Sequence, residues 1–160
     1  MIFLTRFKLG VQIVTVAMAT KPVNGGIMSI DDLLERLLKI RRARGIDKMK
    51  QGSISRNDVL NAISKLTVLG NGFQVGRIGD CDFLFAVPIE LSSDQNVILG
   101  LAKDGRITKS QLEQTQRWTK ERIDRALNAL LHAGIAWWDK FDDSYYFPST
   151  MPRLDIRGLA

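Results

Sequence analysis

Apolar residues along the chain follow two rules in turn, a spacing of three or four and a spacing of two, and the switches between them outline the elements. Ile30, Leu33, Leu34, Leu37 and Leu38 form one stripe at helical spacing. Ser29 stands where a cap belongs, and Asp31 and Asp32 suit the positive helix end, which together predict a helix over 29–42. Residues 41–52 are too charged and glycine-interrupted for a core and predict a frayed helix end followed by an exposed loop. Ser55 then caps a further helix, with Asp58 as a weak capping box, Val59, Ile63 and Leu66 facing inward, Leu69 at the margin and Gly70 as the stop. Residues 73–78 and 82–87 are rich in aromatic and branched side chains around the turn pair Gly79 and Asp80, the signature of a β-hairpin.

The second half repeats this order. Ser55, Val59, Ala62, Ile63, Leu66 and Gly70 recur as Thr119, Ile123, Ala126, Leu127, Leu130 and Gly134, always 64 positions later. Upstream, Gly26, Ser29 and Leu33 recur as Gly105, Thr108 and Leu112 at an offset of 79, so the first copy carries about 15 extra residues, largely the basic segment. Residues 135–141 and 144–147 supply a second hairpin through Asp142 and Asp143. One more helix precedes each set, over 9–20 and 93–103, and short strands are expected at 27–28 and 106–107. Helix, short strand, two helices and a two-stranded hairpin is the order of a winged helix. The predicted fold class is α+β, mainly α: two tandem winged-helix domains, over 9–90 with the basic insertion 39–52 and over 91–160, behind a non-matching tail at 1–8. Domains this small bury little surface alone, so a linker as short as 88–92 implies a shared interface and a rigid tandem.

Composition agrees with a globular chain. Of 160 residues, 45% are hydrophobic, 25% are charged and only 4 are proline, and no run approaches the ~20 apolar residues of a membrane span. One Cys and one His exclude an intrachain disulfide and a self-sufficient zinc module, so neither metal nor cofactor is expected and a reducing compartment, the cytosol, fits best. The net charge of +6 is local: Lys39, Arg41, Arg42, Arg44, Lys48 and Lys50 against Asp47 give +5 within twelve residues, either a solvated helix end or a contact to an anionic surface. At the N-terminus, Arg6 and Lys8 before the apolar residues 9–16 and the triplet Ala17, Met18, Ala19 imitate a secretory signal. Gln12 and Thr15 interrupt that run, and Val11, Val14 and Met18 recur at helical spacing, which favours a short buried helix.

Catalysis needs convergent reactive groups, and few are present. His132 lies in the last turn of a helix, where it complements the dipole. Cys81 sits between Asp80 and Asp82, whose charges oppose thiolate formation. The pairs Asp31/Asp32 and Asp142/Asp143 are explained by a helix start and a turn, and the glycines of "LGNGFQVGRIG" open no helix and precede no Gly-Lys-Ser/Thr. No active site is expected. DNA binding, the alternative that a winged helix suggests, wants a basic outward face on the third helix. The faces here mix signs, with Arg56, Asp58 and Lys65 in one copy and Lys120, Glu121, Arg122, Asp124 and Arg125 in the other, so no nucleic-acid partner is expected.

Aromatic surface remains in surplus. Trp118 stands before the Thr119 cap as a hydrophobic staple. Trp137 and Trp138 are strand neighbours and point to opposite sides, with Phe141, Tyr145, Tyr146 and Phe147 nearby. Such rings either pack within the domain or anchor a protein interface.

Four segments carry a family likeness: "NGGIMSIDDLL", "LGNGFQV", "VPIELSSDQNVIL" and "RWTKERIDRALNALLHAGIAWWD". Over residues 9–147 the chain resembles the EAP-type vacuolar-sorting subunit of the ESCRT-II complex, the subunit without a GLUE domain. The resemblance implies a non-enzymatic scaffold, cytoplasmic and recruited to the endosome membrane, that sorts ubiquitinated cargo into multivesicular bodies. It implies a GLUE-bearing subunit and two copies of a small subunit as partners, an indirect link to ESCRT-III and a peripheral membrane contact through the complex. By position, Trp118, Trp137, Trp138, Asp139 and Tyr145 are the expected protein interface, the rings as anchors and Asp139 as partner for a basic side chain. The family has a longer N-terminal region with a basic helix and a helical hairpin, of which "LGVQIVTVAMA" resembles the last piece. Lys39, Arg41, Arg42, Arg44, Lys48 and Lys50 are the expected substitute for its anionic-surface contact.

Overall fold

Five side-chain caps set where the helices begin. In a computed structural model describing residues 2–45, 53–70, 72–87 and 90–151, the hydroxyls of Ser29, Ser55, Ser92, Thr108 and Thr119 each accept the backbone N–H three residues on. At Ser55, Ser92 and Thr108 the side chains of Asp58, Gln95 and Gln111 return the bond to the cap's own N–H, so the Ser55 box is complete rather than weak. Each cap contributes about 1 kcal/mol by satisfying donors that the helix cannot.

The chain divides into two units, Met1–Glu90 and Leu91–Ala160. The first contains α1 (Ile2–Asn24), β1 (Ile27–Ser29), α2 (Ile30–Ala43), α3 (Arg56–Leu69), β2 (Gln74–Ile78) and β3 (Cys81–Phe85). The second contains α4 (Ser93–Leu101), β4 (Arg106–Thr108), α5 (Lys109–Gln116), α6 (Lys120–His132), β5 (Trp137–Asp139) and β6 (Ser144–Tyr146). Both sheets are antiparallel with the last strand central, in the orders β1-β3-β2 and β4-β6-β5. Each unit is a winged helix, as the repeated pattern requires.

The 79-residue offset marks a shared turn. Gly26 and Gly105 both adopt left-handed φ, 88° and 77°, and their carbonyls accept the N–H of Ala86 and Phe147, each at 2.8 Å. A side chain on Gly26 would meet the Val87 methyls at 3.0 Å, which gives a second reason for glycine there. The 64-residue offset marks the shared core stripe: Val59, Ala62 and Ile63 on α3, and Ile123, Ala126, Leu127 and Leu130 on α6, are buried. The helix stops differ. Gly134 is left-handed at φ 72°, whereas Gly70 caps α3 at φ 159°, and Leu69 is exposed rather than marginal.

Two expectations about the first unit need correction. Its first helix runs from Ile2 to Asn24, not over 9–20, because no glycine or proline interrupts residues 2–8, so these continue the helix. The inward face of α1 is Leu9, Ile13, Val16 and Ala17, packed with Leu33, Leu37, Val59, Ile63 and Leu84, while Val11 and Met18 are exposed. A helix that is apolar nearly all round offers two stripes at the same spacing, and the period cannot choose between them.

Burial of the third-helix stripe gives a direct test. Leu127→Ala, at a fully buried position, should lower stability by about 2–5 kcal/mol in urea unfolding, whereas the exposed change Lys120→Ala should stay within about 0.5 kcal/mol.

Candidate protein-interaction surface

Register in the second sheet decides what its wing presents. Arg106, Tyr146 and Trp137 lie opposite one another across β4, β6 and β5, and so do Ile107, Tyr145 and Trp138. Paired residues in an antiparallel sheet share a face, so the adjacent tryptophans project to opposite faces. Both remain about half exposed, Trp137 at 54% and Trp138 at 50%.

On one face the Arg106 guanidinium lies 5.9 Å from the centre of the Tyr146 ring, and Trp137 completes the row. On the other, the Trp138 ring stacks on Tyr145, with centroids 6.5 Å apart and planes 22° from parallel. The Trp138 indole N–H donates to Asp143 at 3.0 Å. Tyr145, expected in the interface, is only 4% exposed and supports Trp138 from beneath. The reason is that it sits on the central strand, on the face shared with buried Ile107.

The acids of the wing build its turn. Asp139 accepts the N–H of Phe141 at 2.8 Å, and Asp142 accepts the N–H of Ser144 at 3.0 Å and the Tyr146 hydroxyl at 2.8 Å. Arg106 adds an ion pair to Asp142 at 3.2 Å. The Asp142 carboxyl is held below its ordinary value chiefly by the Tyr146 hydroxyl, then by Ser144 and Arg106, and the phenol of Tyr146 is pushed up in return. Phe141, absent from the expected interface, stands at the tip fully exposed (102%). Its only sequence signal is an apolar ring inside a turn too polar to offer it a core.

Trp118 is half-buried, with the Arg122 guanidinium 4.4 Å above its ring. Arg122 also forks onto Asp94 at 2.9 and 2.7 Å, which holds that carboxyl below its ordinary value. Elsewhere Lys109 pairs with Asp124 at 2.6 Å, and Arg56 pairs with Asp31 and, at 3.0 Å, with Asp82. Several cations of the two third helices, or of their surroundings, therefore already have carboxylate partners.

The residues of the expected basic contact differ in their surroundings. Lys39, Arg42 and Arg44 are exposed, and Lys48 and Lys50 lie outside the described residues. Arg41 is only 4% exposed, and its Nε donates to Gln12 at 3.1 Å. It continues the buried row Leu33, Leu37 at a spacing of four, so its stem packs inward. Among the described residues no three His, Cys, Asp or Glu side chains converge on a common point.

Two winged helices in tandem, the second carrying an aromatic wing, define a tandem winged-helix protein. The chain belongs to the EAP30/Vps36 family, whose sequence pattern matches residues 6–140. It is 38% identical over 152 residues to the vacuolar-sorting protein SNF8 of Danio rerio, covering 92% of this chain and 57% of that one. To the vacuolar protein sorting-associated protein 22 homolog 1 of Arabidopsis thaliana it is 37% identical over 147 residues, covering 89% and 56%. The chain thus spans little more than half the length of these relatives. Among solved structures, a chain of "Structure of the ESCRT-II endosomal trafficking complex" matches with a TM-score of 0.74 at 25% identity, over 94% of this chain and 67% of that one. The likeness carried by the four sequence segments is therefore a family relationship.

The Asp142–Tyr146 pair can be followed by titration. A raised phenol ionises late, so ultraviolet absorbance should show one tyrosine titrating above the ordinary value near 10, and Asp142→Asn should bring it back. The lowered carboxyl acts with the opposite sign: its contribution is complete at neutral pH and is lost only as pH falls below about 4.

Proposed function

We propose that this chain is a scaffold subunit of an ESCRT-II-type complex in endosomal sorting, acting through protein contacts and not through catalysis. Its neighbours in this reading are a GLUE-bearing subunit and the small subunit, of which the complex holds two copies, with membrane and ESCRT-III contacts made through the assembly. The second winged helix receives one small-subunit copy on its wing. The observation that carries the reading is the pair of half-exposed indoles on opposite faces of one three-residue strand. Neither ring is covered within its own unit, and tryptophans are enriched among the anchors of protein interfaces. Family membership and the ESCRT-II likeness support the choice of complex.

Co-purification of the full chain with the other two subunits tests this. Trp138→Ala should weaken capture of the small subunit by at least about tenfold with an unchanged circular dichroism spectrum. Capture of neither subunit by the unmodified chain, together with salt-sensitive binding to random duplex DNA, would instead place it among DNA-binding winged helices.

A further inference from the structure

The two wings differ in one respect that the repeat does not require. Ile78 pairs with Cys81 across a two-residue turn, whereas Asp139 pairs with Ser144 across the four residues 140–143. Aligned by register, Gln74 and Val75 correspond to Trp137 and Trp138, which puts Phe141 where the first wing has Ile78. Ile78 is buried and Phe141 is fully exposed. The second hairpin is two residues shorter, ten from Trp137 to Tyr146 against twelve from Gln74 to Phe85, and its ladder ends two pairs sooner, so its apolar side chain stands outside the unit.

That side chain is held in place. The Asp139 carboxylate fixes the Phe141 N–H, Asp142 fixes the return strand, and Asp143 takes a left-handed φ of 49° while holding the Trp138 indole. A tip already ordered by hydrogen bonds loses little conformational freedom on docking, so most of the ring's burial appears as affinity. We propose that Phe141 is the anchor that the second wing inserts into an apolar pocket of a partner protein, a pocket rimmed by lysine or arginine. A single ring on a polar knob buries its surface only inside a concavity. The rim follows from charge: residues 139–143 hold three carboxylates against Lys140. Those carboxylates repel phosphate headgroups and nucleic acid, which sets aside the lipid surface that an exposed aromatic otherwise suits.

The proposal rests on the wing being a subunit interface, and the experiment separates the two. The probe is the purified small subunit of the complex, titrated calorimetrically into the full chain. Phe141→Ser, at a position without core contacts, should leave the circular dichroism spectrum unchanged and weaken binding about ten- to a hundredfold, Phe141→Leu should lose less, and binding by the unmodified chain should weaken as salt rises. If Phe141→Ser binds within about twofold of the unmodified chain while Trp138→Ala does not, the interface stands and the anchor is overturned. Binding that is indifferent to salt overturns the basic rim. Binding to phosphatidylcholine–phosphatidylserine vesicles that Phe141→Ser abolishes, with partner affinity unchanged, would assign the tip to lipid and overturn the proposal. Failure of the unmodified chain to bind the subunit at all removes the assembly reading and the anchor with it.

Discussion

Strand register is the constraint on which the surface chemistry depends. Strands β4, β5 and β6 have three residues each, and a slip of one residue would exchange the faces of Trp137 and Trp138 and bring Tyr145 out of the core. So few ladder bonds leave register weakly determined by themselves. It is fixed from outside the sheet by the left-handed Gly105, whose carbonyl takes the Phe147 N–H just beyond β6, and by Arg106, whose Nε donates to the Ser144 hydroxyl at 2.9 Å. Fully buried Phe147 then pins the end of the hairpin in the apolar interior.

With register fixed, the division of labour within each unit follows. The third helix spends its apolar face on the core, and its charges are largely taken up by neighbours: Arg56 by Asp31 and Asp82, Asp124 by Lys109, Arg122 by Asp94. These pairs are exposed and individually contribute little to stability. Their effect is to leave the helix that would read a DNA groove without a uniform sign, while the wing of the second unit keeps its rings half in solvent.

Much of this was legible in the sequence, for identifiable reasons. The caps at Ser55 and Thr119 and the stripes behind them recur at a constant offset, and a duplicated pattern can be checked against itself. The hairpins were visible because period-two runs flank short polar turns. What escaped was a choice among equivalent options. On α1 two apolar stripes share one period, and only packing against Leu33 and Ile63 selects Leu9 and Ile13 over Val11 and Met18. Arg41 looked like one more cation in a basic run, but its place four residues beyond Leu37 turns its stem inward. Tyr145 and Tyr146 read alike in a row of aromatics, and register alone buries the first. Phe141 stands among the aromatics that the sequence offers as anchors, but a lone ring in a turn has no periodic partner to single it out.

The unequal hairpin loops show how a duplicated module acquires a new role. The helices and the central strand keep their places in both copies, so the interior tolerates no drift. A hairpin end at the rim is free of that restriction, and removing a residue pair so that the ladder stops sooner converts a side chain that served cohesion into one offered to the outside. Divergence of paralogous modules can thus proceed at their margins while their architecture stands still.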